Sequence, residues 1–167
     1  MTLKNEPKRL RQGKEVHEKI QKEWHKSAEG SIESEKTMTK PSGRKGRMDI
    51  FVTSDETLVA IVEIKRSDWD AMTLTAVRRN VRRQAHQIWD YIESQLELGK
   101  DVSPGVIFPK LPKDTDRMKL VEQMFNEEGI TVVWEMKPLQ NEKHDRSVHL
   151  FSQWESRVVV IAGARPL

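Results

Sequence analysis

The chain has 167 residues, 33% of them charged and 36% hydrophobic, with 29 Lys+Arg against 26 Asp+Glu and no cysteine. This suffices for one domain with a real core but not for two ordinary ones, and it excludes disulfides and thiolate metal sites. No apolar stretch approaches membrane-spanning length, no signal-peptide hydrophobic region opens the chain, and the lack of cysteine fits a cytoplasmic protein.

Charge is unevenly spread. Residues 1–48 hold 13 Lys+Arg against 7 Asp+Glu, a net of +6, so the remainder sums to −3. A basic first third suits a polyanionic partner, although a solvated helix surface explains it nearly as well.

Residues 1–28 read as helix, with Gly13 as the point where it would break in two. Val16, Ile20, Trp24 and Ala28 recur at helical spacing and should pack on a sheet. Residues 31–39 alternate weakly and suit a first edge strand. Residues 41–46 form a loop whose glycines and cations would let backbone approach a phosphate. Two apolar runs, 46–52 and 58–65, flank a polar break and predict a hairpin. Residues 71–98 should be a long helix with the apolar stripe Val77, Val81, Ala85, Ile88, Ile92 and Leu96, stopped by Gly99. A short buried strand (104–108), an amphipathic helix (115–128) and another strand (130–134) follow. This order predicts an α/β fold, one domain with a central mixed sheet flanked by helices. Residues 1–138 would form the core with its N-terminal helix, and 139–167 an extension of one or two strands packed on it.

Chemistry concentrates on the hairpin. Asp49 lies on its first strand and Glu63-Ile64-Lys65 ends the second. Side chains alternate along a strand, so Glu63 and Lys65 share a face. Two carboxylates hold a hard divalent cation through oxygen, and an ammonium beside them orients a water or steadies an oxyanion. Glu-x-Lys alone says nothing, since Glu6-Pro7-Lys8 and Glu135-Met136-Lys137 also fit it. A plain ion pair at the solvent end of a strand is the bland alternative. For Asp49 to reach Glu63, paired positions must sum to an even number, which needs an odd-length turn or a β-bulge.

With a strand Asp, Glu-x-Lys ending the next strand, and a long basic helix carrying Gln and Tyr, residues 13–135 resemble the PD-(D/E)xK nuclease superfamily, of restriction-endonuclease-like fold. Met48 stands where that motif usually has Pro. The resemblance implies a Mg²⁺- or Mn²⁺-dependent nuclease, with Asp49, Glu63 and Ile64 at the metal and Lys65 acting on the attacking water. Gln87 and Tyr91 match the Gln-x-x-x-Tyr motif of one large branch, in which the Gln helps bind metal, water or substrate; Gln84 is the rival choice. Relatives often add a carboxylate from the first helix. Glu18 is the candidate, with Glu15, Glu23 and Glu35 as alternatives. His17 and His25 read as helix-surface residues. The Gly/Arg-rich loop before Asp49 is also similar to nuclease domains of bacterial polymorphic toxins, though a restriction, repair or phage-encoded enzyme suits a free-standing domain equally.

Arg78, Arg79, Arg82 and Arg83 form a dense cationic patch that phosphate would answer by bidentate hydrogen bonding, unless Asp68 and Asp70 neutralise it. Arg44, Lys45, Arg47 and Arg66 extend the basic surface toward the hairpin. Trp24, Trp134 and Trp154 look like core anchors. Trp69 and Trp89 lie near the site, where base stacking is conceivable but packing is the plainer role. The expected partner is nucleic acid, DNA rather than RNA, with a second copy of the chain or an inhibitor protein as further candidates and no membrane. A non-catalytic nucleic-acid-binding module on the same fold is the rival reading.

Overall fold

The run Leu58-Val59-Ala60-Ile61-Val62 does not alternate because both of its faces are covered. In a computed structural model, which describes residues 8–27, 31–53 and 56–135, it forms the middle of a five-stranded sheet. The strands are β1 (Ser31–Thr39), β2 (Lys45–Thr53), β3 (Leu58–Ile64), β4 (Asp101–Phe108) and β5 (Thr131–Trp134), in that spatial order. β1, β2 and β3 are antiparallel neighbours, whereas β3, β4 and β5 run parallel. The parallel half needs crossovers, supplied by helices α2 (Leu74–Leu96) and α3 (Thr115–Glu127).

Helix α1 (Lys8–Ser27) covers one face of the sheet, where Ile20 and Trp24 meet Ile50, Val52, Ala60, Val62, Ile64 and Ile107. Helices α2 and α3 cover the other, on a larger core that includes Phe51, Val59, Ile61, Val106 and Phe108. The expected mixed-sheet α/β architecture is therefore present as three layers. Trp69 lies in this larger core, edge-on to Phe108 at 5.2 Å.

Local chemistry sets the boundaries. Thr73 caps α2 by accepting from the Ala76 amide at 3.2 Å, and Asp114 caps α3 by accepting from the amides of Asp116 and Arg117. After α2, Gly99 takes a left-handed backbone (φ 71°), which its missing Cβ makes cheap. Pro104 is tolerated inside β4 because β5 pairs only from Gly105 onward, leaving β4 an edge at that point.

Several sequence expectations need correction. Gly13 does not break α1, which runs through it unbroken. Lys45 and Gly46 belong to β2 rather than the preceding loop, β4 begins at Asp101, and Leu96 is half-exposed instead of closing the core stripe. Residues 1–7, Ala28, Trp154 and the extension from 136 lie outside the described residues.

Strand alternation itself fails at one place. Met48 packs on the α2 side and Ile50 on the α1 side, although residues two apart should share a face. β1 does the same. Ile32 packs on the α1 side and Ser34 meets His25 of α1 at 2.9 Å, yet Met38 joins the α2-side core and the Lys36 Nζ lies 3.8 Å from the centre of the Phe51 ring. The two strands roll over together at Glu35 and Asp49. Glu35 has φ 54°, the left-handed region, and the ladder pairs Ser34 with Ile50 and Lys36 with Met48 but skips the residues between.

The β1–β2 turn is fastened to α2 by Gly46. A Cβ there would stand 2.6 Å from Tyr91 Oη and 2.7 Å from Tyr91 Cε1. Tyr91 is buried and donates its hydroxyl to the Arg47 carbonyl at 3.1 Å, so it cannot swing aside. Gly46→Ala should destabilise the fold by about 1–3 kcal/mol, the usual cost of overpacking. Chemical unfolding of Gly46→Ala with and without Tyr91→Ala checks this, because the clash predicts strongly non-additive costs.

Candidate active site

The site forms where β2 leaves β3. Ile50 pairs with Val62, and the same register brings Asp49 next in line opposite Glu63. The required odd-length connection is present, between the paired residues Thr53 and Val59. Here the side chain of Asp49 substitutes for a strand. Its Oδ2 accepts the Ile64 amide at 2.7 Å, while its Oδ1 lies 3.3 Å from His17 Nδ1 on α1. Behind it, Gln21 Nε2 donates to the Asp49 carbonyl at 2.9 Å.

Glu63 is 2% exposed, which rules out an ion pair at the solvent end of a strand. Its Oε2 lies 3.1 Å from Lys65 Nζ, and its Oε1 is buried without a hydrogen-bond partner among the described residues. Lys65 Nζ also donates to Gln87 Oε1 at 3.2 Å. Gln87 reaches the lysine, whereas Gln84 donates to the Ser67 hydroxyl at 2.8 Å. Lys65 and Gln87 open into a cleft of about 390 Å³ shared with Arg83, Gln84, His86 and Asp90.

Electrostatics divide the two carboxyls. Burial pushes the Glu63 carboxyl up to about 7; the Lys65 ammonium opposes this and the Asp49 charge reinforces it. Burial also pushes Asp49 upward, but its hydrogen bonds with His17 and the Ile64 amide, and the His17 charge, outweigh it and hold Asp49 below the usual carboxylate value. Burial first, and the Glu63 charge second, raise the Tyr91 phenol. Two neighbouring carboxyls with diverging proton affinities are typical of working sites.

The donor set fits a hard cation. Mg²⁺ is commonly held by one or two carboxylates with water completing its shell, and among the described residues no donor is placed on Glu63 Oε1. Ile64 has only its backbone to offer, because its side chain is buried in the α1-side core. Among the described residues no cluster of three or more His, Cys, Asp or Glu is arranged as a metal cage, so the fit rests on the carboxylate pair.

The remaining candidates fall elsewhere. Glu18 is exposed on α1, and it is His17 and Gln21 of that helix that meet Asp49. Glu15 pairs with Arg11, and Glu35 with Arg47 at 3.2 Å. Arg44, Lys45, Arg47, Arg66, Arg78, Arg79, Arg82 and Arg83 are all exposed. Asp68 and Asp70 do not neutralise the α2 arginines; Lys110 pairs with both, at 2.5 and 3.9 Å. Among the described residues none of the four α2 arginines has an ion-pair partner; Arg83 donates to Asn80 at 2.8 Å. Sequence reasoning read His17 as a helix-surface residue and passed over Gln21, whereas both meet Asp49. The signal was an i, i+4 polar pair one position past Val16 and Ile20, on the flank of the apolar stripe.

No protein-family model matches this chain, and no curated protein does either. No helix among the described residues is long and apolar enough to cross a membrane.

Proposed function

We propose that the chain is a metal-dependent nuclease of the PD-(D/E)xK type that hydrolyses phosphodiester bonds, in DNA rather than RNA. One observation carries the reading. A buried glutamate with an unanswered oxygen sits between a second carboxylate and a lysine whose ammonium is 3.1 Å away. A merely structural ion pair has no need of the extra carboxylate, whose charge works against ionising Glu63.

Bound Mg²⁺ or Mn²⁺, held by Asp49 and Glu63, would polarise the scissile phosphate and stabilise the leaving oxygen. The chain's own groups supply the rest. Asp49, kept ionised by its hydrogen bonds, fixes one carboxylate. Lys65, held by Glu63 and Gln87, presents an ammonium to the attacking water or to the charge that develops on phosphate. Gln87 keeps that ammonium turned toward the cleft. The decisive experiment is incubation with plasmid, linear DNA and tRNA, each with and without Mg²⁺ or Mn²⁺. Metal-dependent cleavage supports the reading. Binding without cleavage under every condition would favour the non-catalytic module.

Substrate holding is assigned to the exposed arginines of α2. Neutralising Arg78, Arg79, Arg82 and Arg83 in pairs should weaken binding and lower the slope of log affinity against log salt by about 0.7–0.9 per lost phosphate contact. Metal affinity should not change. An unchanged salt slope would leave the patch a solvated face and turn attention to Arg44, Lys45 and Arg47.

A further inference from the structure

From the contacts around Asp49 we infer that α1 is part of the catalytic apparatus, with His17 and Gln21 as positioning residues for Asp49; this rests on the nuclease reading above. Asp49 lies where β1 and β2 roll over, and the β1–β2 ladder skips it. An aspartate at such a break lacks the strand neighbour that ordinarily fixes its backbone. Gln21 supplies the missing constraint. It is 7% exposed, and its amide donates to the Asp49 carbonyl at 2.9 Å. His17, one turn earlier, sits 3.3 Å from Oδ1. With the Ile64 amide on Oδ2 at 2.7 Å, three contacts fix both the backbone and the carboxylate plane. Two of the three come from α1.

The consequence is directional. Ile20 and Trp24 dock α1 on the sheet, and His17 and Gln21 turn that docking into carboxylate orientation. Neither touches the reacting phosphate in this assignment. They act by holding a ligand, a kind of support whose loss typically weakens metal binding about 10–100-fold.

The test uses the full chain and two readouts besides activity, the hydrogen-exchange rate of the Ile64 amide in metal-free protein and Mn²⁺ affinity by electron paramagnetic resonance. His17→Ala and Gln21→Ala should each speed Ile64 exchange and weaken Mn²⁺ binding about tenfold or more. His17→Asn should recover most of both, because its amide nitrogen falls near the place of Nδ1. Lys22→Ala, exposed on the same helix, should match wild type. Exchange at Ile92 on α2 separates local loosening from global unfolding; if the alanine variants unfold, His17→Phe and Gln21→Glu, which keep bulk but cannot donate to Asp49, should show the same two losses. Ile64 exchange and Mn²⁺ affinity both unchanged in the folded variants that lose the donor, His17→Ala or His17→Phe and Gln21→Ala or Gln21→Glu, would overturn the positioning role. A wild-type chain that takes up no Mn²⁺ would instead overturn the nuclease reading, while Ile64 exchange would still decide whether α1 holds Asp49.

Discussion

Glu63→Gln is expected to abolish cleavage while leaving nucleic-acid binding largely intact. Gln preserves the size of the side chain and can still accept from Lys65, but it removes the charge through which Glu63 would hold a cation. Loss of one group that stabilises transition-state charge commonly costs about 10²–10³-fold in rate, and loss of a metal ligand should cost at least that. The exposed arginines assigned to phosphate do not touch Glu63, so retention on labelled DNA in low salt should persist. Lys65→Ala should be similarly inactive but should still bind Mn²⁺, since the lysine is not a ligand. Full activity in Glu63→Gln would end the role given to Glu63, whatever the fold.

The second large effect is on stability against pH. In metal-free protein the folded state holds the Glu63 proton up to about 7, whereas the ordinary value is 4.5. Between those values the native state binds more protons than the unfolded chain, so stability falls as pH rises. The full shift corresponds to about 3 kcal/mol, lost progressively from about pH 4.5 to above pH 7. Asp49 acts in a different window. Its lowered carboxyl contributes stability above its ordinary value of 3.8 that is lost only under more acid conditions. Because stability against pH sums over every titrating group, the informative quantity is a difference. Unfolding free energies at pH 5 and pH 8, in chelator, should decline more for wild type than for Glu63→Gln. Saturating Mg²⁺ or Mn²⁺ should remove much of the wild-type decline by binding the ionised form. Parallel pH profiles for the two proteins would mean that Glu63 ionises normally.

Much of this was legible in residue order. Apolar runs, caps and glycines located the helices and strands, and parity arithmetic correctly required an odd connection between Thr53 and Val59. Glu63 and Lys65 were placed by simple alternation, which holds in β3 because that strand is covered on both faces. What stayed hidden was the rollover at Asp49. It depends on a left-handed backbone at Glu35, and glutamate does not announce that conformation as glycine or asparagine would. His17 stayed hidden for a related reason. Its partner is nearby only because Asp49 turns at the rollover, so alternation offered no cause to look toward α1.

The bend at Glu35 has a further consequence for the open margin of the sheet. Among the described residues β1 pairs only with β2, so nine residues present an unshared row of backbone donors and acceptors. A straight margin of that length invites another chain to dock alongside and begin a growing stack. The left-handed residue in its middle interrupts the row, and Glu33, Glu35 and Lys36 add charge around the interruption. Neither half is then a long flat template. The irregularity that sets Asp49 beside α1 thus also shortens the flat template this margin offers to another chain, so straightening it to build a tidier sheet should both move Asp49 and raise the tendency to precipitate.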